Sequence, residues 1–361
     1  MSQETVSEQV DEAPLFSWES WDRIKYSEGF VFAATTAFVL LWSWLFSRAP
    51  ITSELGGYHS LATTMLIWGI FALGFNLLLG QTGLLSFGHA MFWGGGGYAA
   101  AIFAIHISGD PILVLVVGTL FTLLLAVVTG VIALRLHAVY FAIITLAMGQ
   151  LLYYLATSPL RPITGGRNGL TGVQIEQLFG IAYLQEPLPG VFGELWVNYE
   201  YLFIALVFVL VVVFVNRVRK SPYGLIFRAI RENERRTSFV GLNVWRYKFA
   251  AFLMSAGIAG LAGSLYTIES QFAGLSSLYW FTSGEVVIMS VLGGVGSLFG
   301  PVLGAILYLY FEGVVDGVAI IGRYWLLMLA VVFTAIVWAY PDGIWGMIKS
   351  GGAKVRAKLE T

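Results

Sequence analysis

No cysteine occurs in the 361 residues of this chain. Disulfides, thiolate nucleophiles and Cys-ligated metals are thereby excluded. Charge is scarce too. Asp, Glu, Lys and Arg make up 11% of the residues, against about a quarter in soluble domains. A net charge of −1 offers no basis for a nucleic-acid partner. The four histidines, His59, His89, His106 and His137, are scattered without metal-ligand spacing. No Gly-Lys pair exists, so there is no phosphate-binding P-loop and no ATPase of that chemistry. Neither a His/Glu metal cluster nor a nucleophile–base pair at motif spacing points to an enzyme.

What is present is apolar. Hydrophobic residues account for 58%, and the mean hydropathy is +0.79. The chain reads as an all-α polytopic membrane protein, and its 42 glycines suit close helix packing. A span needs about 20 mostly apolar residues. Candidate spans lie at roughly 29–47, 61–80, 84–105, 112–134, 138–157, 200–216, 248–268 and 322–340. The stretch 285–313 is too long for one span and carries Gly293, Gly294, Gly296, Gly300 and Pro301. It reads as two short helices, 285–299 and 301–313, or alternatively as one helix kinked at Pro301. Irregular backbone at membrane depth must be buried in protein or line a cavity.

Basic residues set the orientation. Arg217, Arg219, Lys220, Arg228, Arg231, Arg235 and Arg236 crowd one loop, against only Glu232 and Glu234. Such loops stay in the cytoplasm. The tail 346–361, with Lys349, Lys354, Arg356 and Lys358, belongs on the same side. An even number of crossings must then separate the loop from the tail, which favours the split reading of 285–313. Six crossings precede the loop, so the N-terminus is also inside. The total is about ten spans in a domain covering 28–345, with the basic loop at 217–247. The polar, acidic leader 1–27 does not resemble a signal peptide, and Phe16, Trp18, Trp21 and Tyr26 suit a membrane interface.

Three segments carry polar or special-backbone residues. In the first, Asn76, Gln81, Ser86 and His89 lie at or near membrane depth, where polar groups are expensive. They line a substrate path or hydrogen-bond between helices. Gln150 and Glu285 join them as path candidates. The run Gly94–Gly97 matches a dinucleotide fingerprint only by letter, because no strand precedes it; close helix packing explains it better. The second is the outer loop 158–200. There Thr164, Gly165, Gly166, Asn168 and Gly169 specify a shaped turn, a docking or gating element, or simply a structural turn. The third is the basic loop. Ser221-Pro222 starts a short helix on which Leu225, Ile226, Ala229 and Ile230 form an apolar stripe. That helix either plugs into a partner or lies on anionic lipid. Separately, residues 79–88 echo 292–300, as an internal repeat or as chance likeness of glycine-rich turns.

Five motifs occur in order over about 60–345. They are Asn76–Ala90, Tyr140–Ala142 with Thr145–Ala147, Thr164–Gly172, Ser221–Gly224 through Arg228–Glu234, and Leu292–Pro301. Together they resemble the permeases of branched-chain amino acid ABC importers, the LivM-type subunit. Arg167 departs from the smaller residue usual there, and the acidic leader is longer than typical. The resemblance implies an ABC importer permease fold in the inner membrane and a non-catalytic role. It implies a second, LivH-type permease, two cytoplasmic ATPases that bind ATP-Mg, and an extracytoplasmic binding protein as partners. This chain itself would need no cofactor. Gly224, Arg228, Arg231, Glu232, Asn233 and Glu234 would form the ATPase-coupling element, and the outer loop would meet the binding protein. Urea or short amides are the alternative substrates. A stand-alone secondary transporter is the alternative of another class, with Glu269, Glu285, Glu312 and Asp316 as candidate ion sites.

Overall fold

The computed structural model describes residues 28–47, 59–136, 138–177, 184, 186, 198–315 and 324–350. The leader 1–27, residues 351–361 of the basic tail, Asp316 and most of 178–197 lie outside the described residues, with whatever was expected of them. Helices account for almost everything else. We label them α1 (Glu28–Ser47), α2 (His59–Thr82), α3 (Ala90–His106), α4 (Pro111–Ala133), α5 (Ala138–Thr157) and α6 (Tyr199–Lys220). Then follow α7 (Pro222–Glu232), α8 (Glu234–Phe239), α9 (Val244–Ser270), α10 (Trp280–Gly293), α11 (Gly300–Tyr310), α12 (Trp325–Ala339) and α13 (Gly343–Ser350).

Five helices, α2, α4, α5, α6 and α9, are long and apolar enough to cross a membrane. Counting α12 and α13, which meet at a 50° bend, as one span makes six. Helices also occupy the other regions marked by hydropathy. However, α3, α10 and α11 have 17, 14 and 11 residues, short of the roughly 20 that a full span needs.

Helix α2 is apolar on all sides and is buried almost end to end, as such a helix must be. It packs on α9, α11, α6 and α10, while α9 also packs on α3 and α4. Helices α4 and α5 are peripheral. Leu113, Leu120 and Leu124 on α4, and Val139, Ile143 and Leu151 on α5, face outward, as lipid contact allows.

The run Gly94–Gly97 sits where α3 meets its neighbours. A Cβ on Gly96 would lie 2.8 Å from Gly260 Cα and 2.9 Å from Thr122 Oγ1, and one on Gly97 would lie 2.8 Å from Thr267 Oγ1. The glycines serve helix approach, and among the described residues no strand precedes them.

The segment 285–313 is split, but upstream of the expected point. Helix α10 ends at Gly293, and Gly294 (φ 116°) and Gly296 (φ 84°) take conformations that side chains disfavour. Ser297 Oγ then accepts from Gly300 N (3.0 Å) at the start of α11. Pro301 lies in the first turn of α11, where its missing N–H costs nothing, so it starts a helix rather than kinking one.

Candidate coupling junction

Helix α6 leaves the apolar region through Arg217, Arg219 and Lys220. Ser221 is extended (ψ 166°) and separates α6 from α7, with Pro222 in the first turn of α7. Gly224 packs onto the carbonyls of Val218 and Arg219, where any Cβ would collide. The buried face of α7 is Gly224, Phe227 and Ile230. This corrects the expected stripe. Leu225 is 61% exposed and Ala229 is also exposed, because Phe227, not Leu225, fills the groove below. Leu225, Ala229 and Glu232 therefore point away from the bundle, whereas the exposed Tyr223 also meets Tyr247 of α9 (ring centroids 5.7 Å apart) and Arg228 lines a cavity with α1 and α6.

Asn233 ends α7 and caps α8, its Oδ1 accepting from Arg236 N (3.0 Å). Glu234 pairs with the buried Lys248 of α9 at 2.6 Å, anchoring α8. A groove of about 580 Å³ opens between α7 and α8, lined by Ala229, Glu232, Asn233, Arg236 and Leu242 among others.

Beneath α7 lie the two glycine-rich turns that echo one another. Arg231, though exposed, donates from Nη1 to Gly80 O (2.5 Å) at the end of α2. Arg219 donates from Nη2 to Gly296 O (2.7 Å) in the α10–α11 turn. Asn76 joins the turns with both ends of its amide. Its Nδ2 donates to Ser297 O (2.8 Å) and its Oδ1 accepts from Gly296 N (2.8 Å). Gly80 and Gly296 touch backbone to backbone, and a Cβ on Gly80 would lie 2.8 Å from Gly296 Cα. Four segments thus converge: α2, α6, α7 and the α10–α11 turn.

The path candidates do not form one cluster. Asn76 belongs to this junction. Gln81 is buried at the end of α2. His89 is a core residue between Phe71, Phe75 and Phe92. Its Nε2 lies 2.9 Å from Ser255 Oγ, which itself donates to Gly74 O (2.6 Å), so Nε2 carries the donated proton. This chain of bonds pins α2, α3 and α9 together. Ser86 is buried, and its Oγ has no hydrogen-bond partner among the described residues. The Nε2 of the half-buried Gln150 is in the same position. Glu285 is half-buried and accepts from Tyr308 Oη (3.0 Å). Helices α5 and α10 both contact the segment that carries Ser86. Gly88 abuts Thr145 and Gly149, and Ser283 Oγ accepts from Ala90 N (2.8 Å).

The loop after α5 is shaped as its glycines imply. Thr164 Oγ1 donates to Ala156 O (2.6 Å), and Gly165, Gly166 and Gly169 all have positive φ. Leu170 and Ala273 form an antiparallel bridge, and Glu176 N donates to Gly109 O (2.9 Å). Arg167 and Asn168 remain exposed on the outside of this turn.

Sequence reasoning took Arg219 only as a topological marker and gave Ser255, Ser283 and Lys248 no role. Single Ser or Lys residues in apolar helices carried a detectable signal. The partners of Arg219, Ser255 and Ser283, each on an element more than seventy positions away, carried none, and nothing marked Glu234 as the partner of Lys248.

The family model described as "Branched-chain amino acid transport system / permease component" matches residues 57–337. The chain is 28% identical over 359 residues to the "High-affinity branched-chain amino acid transport system permease protein LivM" of Escherichia coli, covering 94% of this chain and 82% of that protein. The protein of the same name from Salmonella typhimurium matches to the same extent. The "Probable branched-chain amino acid transport permease protein LivM" of Methanocaldococcus jannaschii is 25% identical over 297 residues, covering 71% of this chain and 81% of that protein. No solved structure gives a significant match.

Proposed function

This chain belongs to the branched-chain amino acid transport permease family, and we propose that it forms half of the translocation pathway of a binding-protein-dependent ABC importer in the cell membrane. In this reading it crosses the membrane ten times with both termini in the cytoplasm. Branched-chain amino acids are the substrate class, in line with the names of its relatives. A second permease completes the pathway, two ATPases binding ATP-Mg sit below, and an extracytoplasmic protein delivers substrate to the outer loop. The chain itself performs no catalysis.

One observation carries this reading: α7 is a short amphipathic helix that leaves Leu225 and Glu232 exposed among the described residues while its other face holds the ends of apolar helices. The outward Leu225, Ala229 and Glu232, with the groove toward Arg236, suit a soluble partner. ATP-driven closure of that partner would move α7. Arg231 would pass the motion to Gly80 and α2, and Asn76 would pass it to the α10–α11 turn. The driving energy comes from the ATPases' different affinity for their nucleotide states. Ser86, Gln150 and Glu285 are the residues proposed to face the solute.

Uptake and ATP hydrolysis by the reconstituted importer provide the test. Replacing Leu225 by Asp, with Arg228 and Glu232 both changed to Ala, should cut uptake at least about tenfold, the scale of interface hot spots. Insertion should be unaffected. Normal uptake by this variant would defeat the assignment. Ligand binding by the partnered binding protein would decide between branched-chain amino acids and short amides.

A further inference from the structure

A cavity of about 390 Å³ lies between α3, α4, α5 and the turn that follows α5. Gly95 and Ala99 of α3 line it, with Phe121 of α4, Leu152 of α5, and Leu160 and Ile163 of the turn. The small residues on α3 leave space that larger side chains would fill. Phe121, Ile163 and Ile107 are exposed, so the cavity opens onto the lipid-facing surface.

Its chemistry and size select the occupant. Only Tyr98 and Thr164 among the lining residues carry polar side chains. The Tyr98 Oη is itself buried, and Thr164 Oγ1 donates to Ala156 O (2.6 Å). A zwitterionic or charged solute would lose its hydration here without compensating bonds. The lining follows α3 from Gly95 to Ile107, a rise of about 18 Å. Over that length the volume leaves a section of roughly 20 Å², room for one file of methylenes in contact at about 3.5–4.0 Å. A helix of a partner protein, about 10 Å across, does not fit. One leaflet of hydrocarbon is about 15 Å deep, which matches a single acyl chain lying along α3. Ile107, Leu160 and Ile163 mark the end of the cavity where α3 and α5 stop. Arg161 is exposed in that same turn, and a guanidinium pairs well with a phosphodiester.

We propose that this cavity holds one acyl chain of a membrane phospholipid, with the lipid phosphate beside Arg161. The chain braces the turn 160–164, from which the loop with Gly165, Gly166 and Gly169 at positive φ continues. The site rests on the membrane-embedded fold and not on the importer reading.

The test uses the full chain reconstituted in nanodiscs that contain phosphatidylglycerol with a diazirine on one acyl chain. After illumination, the crosslinked positions are mapped by peptide mass spectrometry. Labels should fall on Ala99, Ile102 or Phe103 of α3, and should saturate as the share of probe lipid rises. Labels on the outward Leu120 and Leu124 of α4 should rise without saturation. Ala99→Phe fills the cavity and should abolish the α3 labels while leaving those on α4. Arg161→Gln, at an exposed position, should raise the half-saturating share of probe about two- to fivefold, the scale of one exposed ion pair. Labels confined to the outward faces of α4 and α5 would overturn the proposal. So would α3 labels that persist unchanged in both variants.

Discussion

Arg231 illustrates what a single residue decides here. In sequence it is one of seven cations in a loop, indistinguishable from Arg228 three positions earlier. In the fold the two diverge. Arg228 stays on the exposed face of α7, and Arg231 reaches the Gly80 carbonyl. A charge-assisted bond of this kind is worth about 1.5–3 kcal/mol. If it transmits motion, Arg231→Ala should lower uptake on the order of tenfold or more while ATP hydrolysis continues. Arg231→Lys should retain part of the uptake, because the cation remains but the reach and planar geometry do not. A parallel fall in both activities would instead mean that Arg231 only supports folding. His89 teaches the opposite lesson. Its membrane depth leaves a substrate path and a helix–helix hydrogen bond equally open in sequence; in the fold its ring meets Ser255, 166 positions away, within an aromatic cluster. Nothing local in the sequence marks such a pairing.

At the scale of elements, the start of α7 and the division of 285–313 into two helices were both legible. Ser-Pro announces a helix start and paired glycines announce a break, each through backbone geometry that the residue itself carries. The break point and the buried face of α7 were not legible. The expected Gly/Pro turn is present, but the first helix stops at Gly293 rather than 299, because Gly294 and Gly296 break the chain and Pro301 begins the next helix. The face of α7 depended on Phe227 finding a cavity made by other helices. The α3–α9 contact offers an element-level test. Gly96→Leu would drive a side chain into Gly260 and Thr122, and overpacking of this kind costs about 1–3 kcal/mol or more. We expect loss of monodisperse protein on size-exclusion chromatography in detergent. Gly29→Leu, on α1 with nothing within 4 Å among the described residues, should behave as wild type.

For the whole molecule, the missing cysteines become an asset, because each introduced thiol is the only one. If α8 and the tail face inside as proposed, Ser238→Cys and Ser350→Cys should resist a membrane-impermeant maleimide on intact cells and react after permeabilisation. Thr171→Cys, on the outer loop, should react at once. Labelling of Ser238→Cys on intact cells would invert the topology. The sequence by itself determined that the chain is a helical membrane protein, roughly where its helices run, and which family it joins. Hydropathy, turn residues and motif order are local properties, and each segment states its own. Only the tertiary structure decided which polar groups act together. It brought Asn76, Gly80, Arg219, Arg231 and Gly296 to one point and withdrew His89 into the core. It also left an apolar cavity between α3, α4 and α5. The physical reason is that buried polar groups must find partners wherever the packing of helices brings them, and that packing joins residues far apart in the chain.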